Sequence, residues 1–121
     1  MRRTYQVFGW SLVLLGSLHM VTTFRAFDAL TGAAVWFFGA GIAMSLVGAL
    51  NLLNSIYGHA ARGLRLTAIA TNVATIAYAS LAGVASHASP VELVVILGLI
   101  ASTTLLSLLR ITAGRPPAES G

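Results

Sequence analysis

Four uninterrupted apolar segments constrain the fold of this chain more than any other feature of its sequence. They cover about residues 5–24, 33–54, 63–85 and 91–110. Each is close to the length at which a helix crosses ~30 Å of hydrocarbon. A membrane β-barrel would need alternating apolar and polar residues, which these segments lack. The sequence therefore predicts an all-α, polytopic membrane protein with four transmembrane helices.

The composition excludes several other classes of protein. Charged residues make up 8% of the 121 residues, against roughly 25% in soluble domains. Because a small soluble domain has a large surface relative to its volume, so few charges cannot cover it. A soluble globular domain, a disordered chain and a nucleic-acid-binding module are thereby excluded. The chain also contains no cysteine, so disulfides and thiol chemistry are excluded.

The links between the segments are short and predict an antiparallel bundle over residues 1–113. Residues 114–121 are polar and rich in helix breakers, which predicts a disordered tail. Arginines give the orientation, because they accumulate on the cytoplasmic side of membrane proteins. Only Arg25 falls on one side, and the other six arginines fall on the opposite side. We therefore expect both termini, and the tail, in the cytoplasm.

Small residues predict where the helices pack, because close backbone approach drives association in lipid. Each helix carries such a face: Gly9, Gly16 and Thr23; Gly41, Ser45, Gly48 and Ser55; Ala68, Asn72, Thr75, Ala79 and Gly83; Gly98, Ser102 and nearby Ala101. Large apolar side chains should face lipid. A bundle of this size buries little surface, so we expect a homo-oligomer, specifically a dimer.

Two further groups of side chains have structural interpretations. Four aromatic residues near the predicted membrane surfaces are typical of an interfacial aromatic belt: Tyr5, Trp10, Trp36 and Tyr57. Three amides, Asn51, Asn54 and Asn72, are interpreted as hydrogen-bonding groups between helices.

His19 is the clearest ionisable residue within a predicted span, and such a residue suggests a functional site. It lies about 6 Å to the outer side of the helix centre at 1.5 Å per residue. Tyr78 falls at a similar depth and is expected to donate its hydroxyl proton to the imidazole. Thr22 and Thr23 lie one turn further out. The alternative is that His19 only joins helices by a hydrogen bond.

More polar residues collect at the outer boundary: Arg25, Asp28, Trp36, His87 and Glu92. Together with His19, they predict an outer ligand site made of His19, Tyr78, Thr22, Thr23, Trp36, Arg25 and Asp28. The alternatives are that Arg25 and Asp28 form a solvated pair, and that Glu92 and Pro90 only begin the fourth helix.

No sequence motif identifies an enzyme or a metal site. Phosphate-binding loops, the dinucleotide fingerprint, the HExxH pattern and the GxSxG elbow are all missing. Haem would require an axial histidine. His19 and His87 differ in depth by more than one turn, so His19 residues paired across a symmetric dimer would be the ligands.

Two resemblances add expectations. The four-helix plan within ~110 residues resembles the small multidrug resistance transporters, in which a glutamate of the first helix binds protons and cationic drugs. Here the run from His19 to Thr23 occupies the comparable place, with His instead of Glu. Leu18-His19, the run from Trp36 to Gly41 and the run 48–53 look like small uncharacterised bacterial four-helix membrane proteins. That resemblance implies a bacterial inner membrane and no assigned activity.

Three functions are consistent with these observations. The first is binding or carrying a hydrophobic or amphipathic small molecule at an outer site centred on His19, because such a site would be mainly apolar. The second is a structural or accessory protein without a ligand. The third is a small transporter of the multidrug type.

Overall fold

The computed structural model describes residues 2–86 and 89–109, and the secondary structure within these ranges is helical. The four helices are α1 (Arg2–Ala26), α2 (Gly32–Tyr57), α3 (Arg62–Ala85) and α4 (Pro90–Leu108). Each is long and apolar enough to span a membrane. The predicted all-α, four-helix membrane bundle is therefore confirmed. Predictions for His87, for Arg110 and Arg115, for the end of the fourth helix at residue 110 and for the tail 114–121 lie outside the described residues.

Local hydrogen bonds fix the starts of two helices. Thr31 caps α2, where its side-chain oxygen accepts from the backbone N–H of Ala34 at 3.2 Å. Ser89 caps α4, and its hydroxyl accepts from the backbone N–H of Glu92. Glu92 Oε2 in return accepts from the backbone N–H of Ser89 at 2.9 Å, which completes a capping box. Pro90 occupies the first turn, where its missing N–H is not needed.

The helices form a ring in chain order. α1 packs on α2 and α4, and α3 packs on the same two helices. α2 also meets α4 across the centre, so α1 and α3 occupy opposite corners. We call the end that holds the α1–α2 link, residues 27–31, the outer end. The end that holds the α2–α3 link, residues 58–61, is the inner end.

The interface between α1 and α2 is built on two pairs of glycines. A Cβ atom added to Gly16 would lie 2.5 Å from the carbonyl oxygen of Gly41, and one added to Gly48 would lie 2.6 Å from that of Gly9. Such distances leave no room for a side chain, so the two backbones are in direct contact. The predicted small-residue faces of these helices are confirmed, since Thr23 and Ser55 are buried on the same faces.

The predicted face of α3 is also confirmed, whereas that of α4 is wrong. Ala68, Asn72 and Gly83 are buried on α3. On α4, Gly98 and Ala101 are exposed, Ser102 is only partly buried, and a Cβ atom on Gly98 would meet nothing within 4 Å. The buried residues of α4 are instead Ile100, Thr103, Thr104 and Ser107. Burial of the Ile100 side chain at the bundle centre turns the small residues outward.

The core at mid-depth joins all four helices. Leu12, Val47 and Ile100 are buried together, and Ile76 and Ile96 pack against them. Large apolar side chains elsewhere point away from the bundle on every helix, among them Leu14, Leu46, Val73 and Leu105. This outward apolar surface suits contact with lipid chains.

Candidate functional site

A cavity of about 570 Å³ opens in the outer half of the bundle, above the apolar core. We call it the outer cavity. All four helices contribute to its lining: His19 from α1; Trp36, Phe37, Ala40 and Met44 from α2; Thr75, Tyr78 and Ala82 from α3; Glu92, Ile96 and Ile100 from α4. Its inner end rests on core residues such as Ile100, and Ser86, Ser89 and Glu92 lie at its outer end.

His19 is held in the outer cavity by aromatic stacking. Its ring lies against that of Phe37, with centroids 3.8 Å apart and planes inclined by 18°. Phe27 continues the aromatic cluster, since its ring centroid lies 5.8 Å from that of Phe37. Within the described part of the chain, neither ring nitrogen of His19 forms a hydrogen bond to the protein. Stacking on Phe37 therefore orients the imidazole ring, and its two nitrogens remain available to hydrogen-bond a ligand.

Glu92 introduces a carboxylate at the outer end of the same cavity. Both of its capping hydrogen bonds use Oε2, which accepts from the backbone N–H and from the hydroxyl of Ser89, at 2.9 and 2.8 Å. Glu92 and His19 therefore line the same cavity from two different helices. The expected role of Glu92 in beginning the fourth helix is confirmed, and the side chain lines the cavity as well.

The structure brings together only some of the residues predicted to form a ligand site. His19, Tyr78 and Trp36 line the outer cavity. Tyr78, however, forms no hydrogen bond with His19 among the described residues. α1 and α3 stand at opposite corners of the bundle, and Phe37 of α2 covers one face of the imidazole instead. The predicted pairing of Tyr78 with His19 is therefore wrong.

The other four predicted residues do not line the outer cavity. Thr23 is buried on the α1 face that packs against α2, and its hydroxyl donates to the backbone carbonyl of His19 at 3.0 Å. Thr22 and Arg25 are exposed on other faces of α1. Asp28 follows the end of the helix at Ala26 and turns away with the link.

Thr23 and Asp28 line a second pocket of about 440 Å³, formed by the end of α1, the link and the start of α2. We call it the link pocket. Its remaining lining is apolar: Phe24, Phe27, Ala29, Leu30, Ala34, Val35 and Phe38. Phe27 borders both cavities.

A buried polar network occupies the inner half of the bundle. Asn51 and Asn72 exchange two hydrogen bonds between α2 and α3, at 2.7 and 2.9 Å. The Tyr5 hydroxyl donates to Asn51 Oδ1 at 2.6 Å and accepts from Asn54 Nδ2 at 2.9 Å. Asn51 Nδ2 also donates to the carbonyl oxygen of Val47. The predicted role of the asparagines in joining helices is confirmed.

Tyr5 is the residue of this network that sequence reasoning missed. Its side chain is 1% exposed, so its assignment to an interfacial aromatic belt is wrong. Its burial could have been predicted from the spacing, because Tyr5 lies four residues before Gly9, on the face of α1 that packs against α2. Trp10, Trp36 and Tyr57 are exposed, and their place in an aromatic belt stays a prediction.

Neither cavity contains an evident metal centre. Among residues 2–86 and 89–109, no group of three or more His, Cys, Asp or Glu side chains lies close enough to hold an ion. Comparison of the chain with known protein families, with curated proteins and with solved structures gave no match.

Proposed function

We propose that this integral membrane protein binds a hydrophobic or amphipathic small molecule in the outer cavity, in contact with His19. One observation carries the proposal: an imidazole fixed by stacking borders a cavity of ligand size, and its nitrogens have no protein partner in the described chain. Cavities of roughly 300–1,000 Å³ are typical of small-molecule sites.

The energetics of polar groups in a membrane support this proposal. A polar group that is removed from water without a hydrogen bond costs several kcal/mol, and lipid chains supply no partner. A ligand oxygen or nitrogen, or a water molecule, would satisfy the ring edge of His19. The apolar lining favours a ligand with few polar groups, because most of its surface would contact side chains such as Met44 and Ile96.

The length of the outer cavity indicates how far a bound ligand could extend along the bundle. Glu92 and Ile100 lie at its two ends and are about 12 Å apart along α4, at 1.5 Å per residue. The ionisable side chains, His19 and Glu92, belong to the outer part of this length, and the inner end around Ile100 is mainly apolar. The polar part of the ligand would therefore lie beside His19 and its apolar part would extend toward Ile100.

We also propose a cellular setting for this activity. Arg2, Arg3, Arg62 and Arg65 belong to the inner end, whereas Arg25 lies at the outer end. This distribution supports a cytoplasmic inner end with both termini inside. The resemblance to small bacterial four-helix membrane proteins supports a bacterial inner membrane. Because the monomer buries little surface, we propose that it assembles as a homodimer.

Native mass spectrometry of the protein released from mild detergent tests the proposed ligand site. We expect the wild-type protein to retain a small-molecule adduct, and His19→Ala to lose it while remaining folded. His59→Ala is the matched control, because His59 lies in the α2–α3 link at the inner end. The mass of the adduct would distinguish haem from a quinone or a lipid.

Two outcomes would contradict the proposal. An adduct that survives in His19→Ala would place the site elsewhere. A wild-type protein that carries no adduct, together with a lower melting temperature for His19→Ala, would favour a structural or accessory protein in which His19 only supports packing.

A further inference from the structure

The link pocket points to a second ligand of a different class. We propose that it binds a phospholipid whose head group carries a primary ammonium, with the ammonium at Asp28, the phosphate at Arg25 and an acyl chain in the pocket. This proposal concerns residues outside the outer cavity, apart from the shared side chain of Phe27. It does not depend on the function proposed for His19.

The apolar part of the link pocket is open to the surroundings and suited to a hydrocarbon chain. Phe24 is 77% exposed and Leu30 is 90% exposed, although both line the pocket. Phe24 and Phe38 meet edge to face, with ring centroids 5.9 Å apart, and form one wall. In a bilayer, such an exposed apolar concavity is covered by lipid, since contact with water would be unfavourable.

One charged residue lines the link pocket, and a residue of opposite charge lies close to it in sequence. Asp28 lines the link pocket, and Arg25 lies three residues earlier, in the last turn of α1. Within residues 2–86 and 89–109, neither side chain has an ion-pair partner within 4.0 Å or a hydrogen bond to the protein. The predicted pair of Arg25 and Asp28 therefore does not form in this structure, and both charges can meet a ligand.

A zwitterionic head group complements this arrangement of charges. A phosphate accepts charge-assisted hydrogen bonds from a guanidinium group, and a primary ammonium donates them to a carboxylate. A quaternary ammonium has no N–H to donate, and a glycerol head group has no positive charge to offset its phosphate. The carboxylate of Asp28 should therefore select an ethanolamine head group over choline, and choline over glycerol.

A lipid competition experiment tests the proposal. The full-length protein in mild detergent would be mixed with phosphatidylethanolamine, phosphatidylcholine and phosphatidylglycerol of identical acyl chains. Retained lipids would then be quantified by native mass spectrometry. We expect the wild-type protein to prefer ethanolamine over choline by up to about fivefold, the range for an exposed charge pair.

Variants assign this preference to individual side chains. Asp28→Asn should remove the preference for ethanolamine over choline, and Arg25→Gln should lower the retention of all three lipids. Glu92→Gln is the matched control, because it neutralises the carboxylate of the outer cavity and should leave the lipid preference unchanged. His19→Ala should also leave it unchanged, so failure at the outer cavity is distinguishable from failure here.

Two results would overturn the lipid site. The first is equal retention of the three phospholipids by the wild-type protein, which would indicate non-selective contact with surrounding lipid. The second is a preference for ethanolamine that persists in Asp28→Asn, which would place the head group away from this carboxylate.

Discussion

Replacement of the buried asparagines by leucine should lower the free energy of unfolding most at Asn51, less at Asn72 and least at Asn54. Asn51 takes part in four hydrogen bonds, of which three join it to Tyr5 and Asn72 on other helices. Asn72 takes part in the two that it shares with Asn51. Asn54 contributes one side-chain hydrogen bond, to Tyr5. Leucine is branched at the same atom as asparagine, so the substitution removes polar groups at similar shape.

The magnitudes follow from these interhelical bonds. A hydrogen bond between membrane helices contributes about 0.6 kcal/mol on average, and a buried one about 1 kcal/mol. Asn51→Leu should therefore lower the free energy of unfolding by about 2–3 kcal/mol, and Asn72→Leu by about 1–2 kcal/mol. Asn54→Leu should be nearly neutral, because it also removes Oδ1, a buried acceptor that has no partner.

Equilibrium unfolding by dodecyl sulfate in mixed micelles, followed by circular dichroism, would measure these free energies. The double variant of Asn51 and Asn72 should show a coupling energy of about 1–2 kcal/mol, because each residue is the other's partner. An Asn54→Leu variant less stable than Asn51→Leu would refute the reasoning. So would independent effects of Asn51 and Asn72.

Three further predictions concern packing, helix capping and topology. Gly16→Ala should lower the melting temperature, since its Cβ would lie 2.5 Å from a backbone oxygen, whereas Gly39→Ala, which meets nothing within 4 Å, should not. Ser89→Ala should cost about 1 kcal/mol of unfolding free energy in the same dodecyl sulfate titration, because α4 loses its cap. In intact cells, a cysteine introduced at Ala29 should react with a membrane-impermeant maleimide and one at Ala60 should not; the reverse result would invert the proposed orientation.

The overall fold was predictable because it depends on the length, hydropathy and residue spacing of each apolar segment taken separately. The length and hydropathy of each segment define a span, and the spacing of Gly9 and Gly16 defines a face. The facing glycines, Gly41 and Gly48, recur at the same spacing on α2. Since one short link, residues 27–31, forces α1 and α2 to be neighbours, these two faces could be paired from the sequence alone.

The candidate site was less predictable, because it depends on which helices are neighbours and how each is rotated. The similar depths of His19 and Tyr78 predict that the two side chains pair, but α1 and α3 lie at opposite corners of the bundle. On α4, Ile100 and not Gly98 faces inward, because its side chain packs with Leu12 and Val47 at the bundle centre. Asp28 does not line the outer cavity, because the chain turns away from that cavity after α1 ends at Ala26.

The backbone carbonyl of Val47 sets the direction of every hydrogen bond in the inner network. A carbonyl can only accept, so the amide of Asn51 must turn its nitrogen toward Val47 and its oxygen toward Tyr5. The Tyr5 hydroxyl must then donate to Asn51, and its oxygen accepts from Asn54 Nδ2.

The amide oxygen of Asn54 is left at the end of this chain of donors and acceptors, with no partner in the described structure. Flipping the amide of Asn54 alone would turn its oxygen toward the Tyr5 hydroxyl oxygen, whose proton is already donated to Asn51, so two acceptors would meet. The unsatisfied oxygen is thus a consequence of a main-chain group one helical turn before Asn51, which no side-chain substitution at Val47 can reverse.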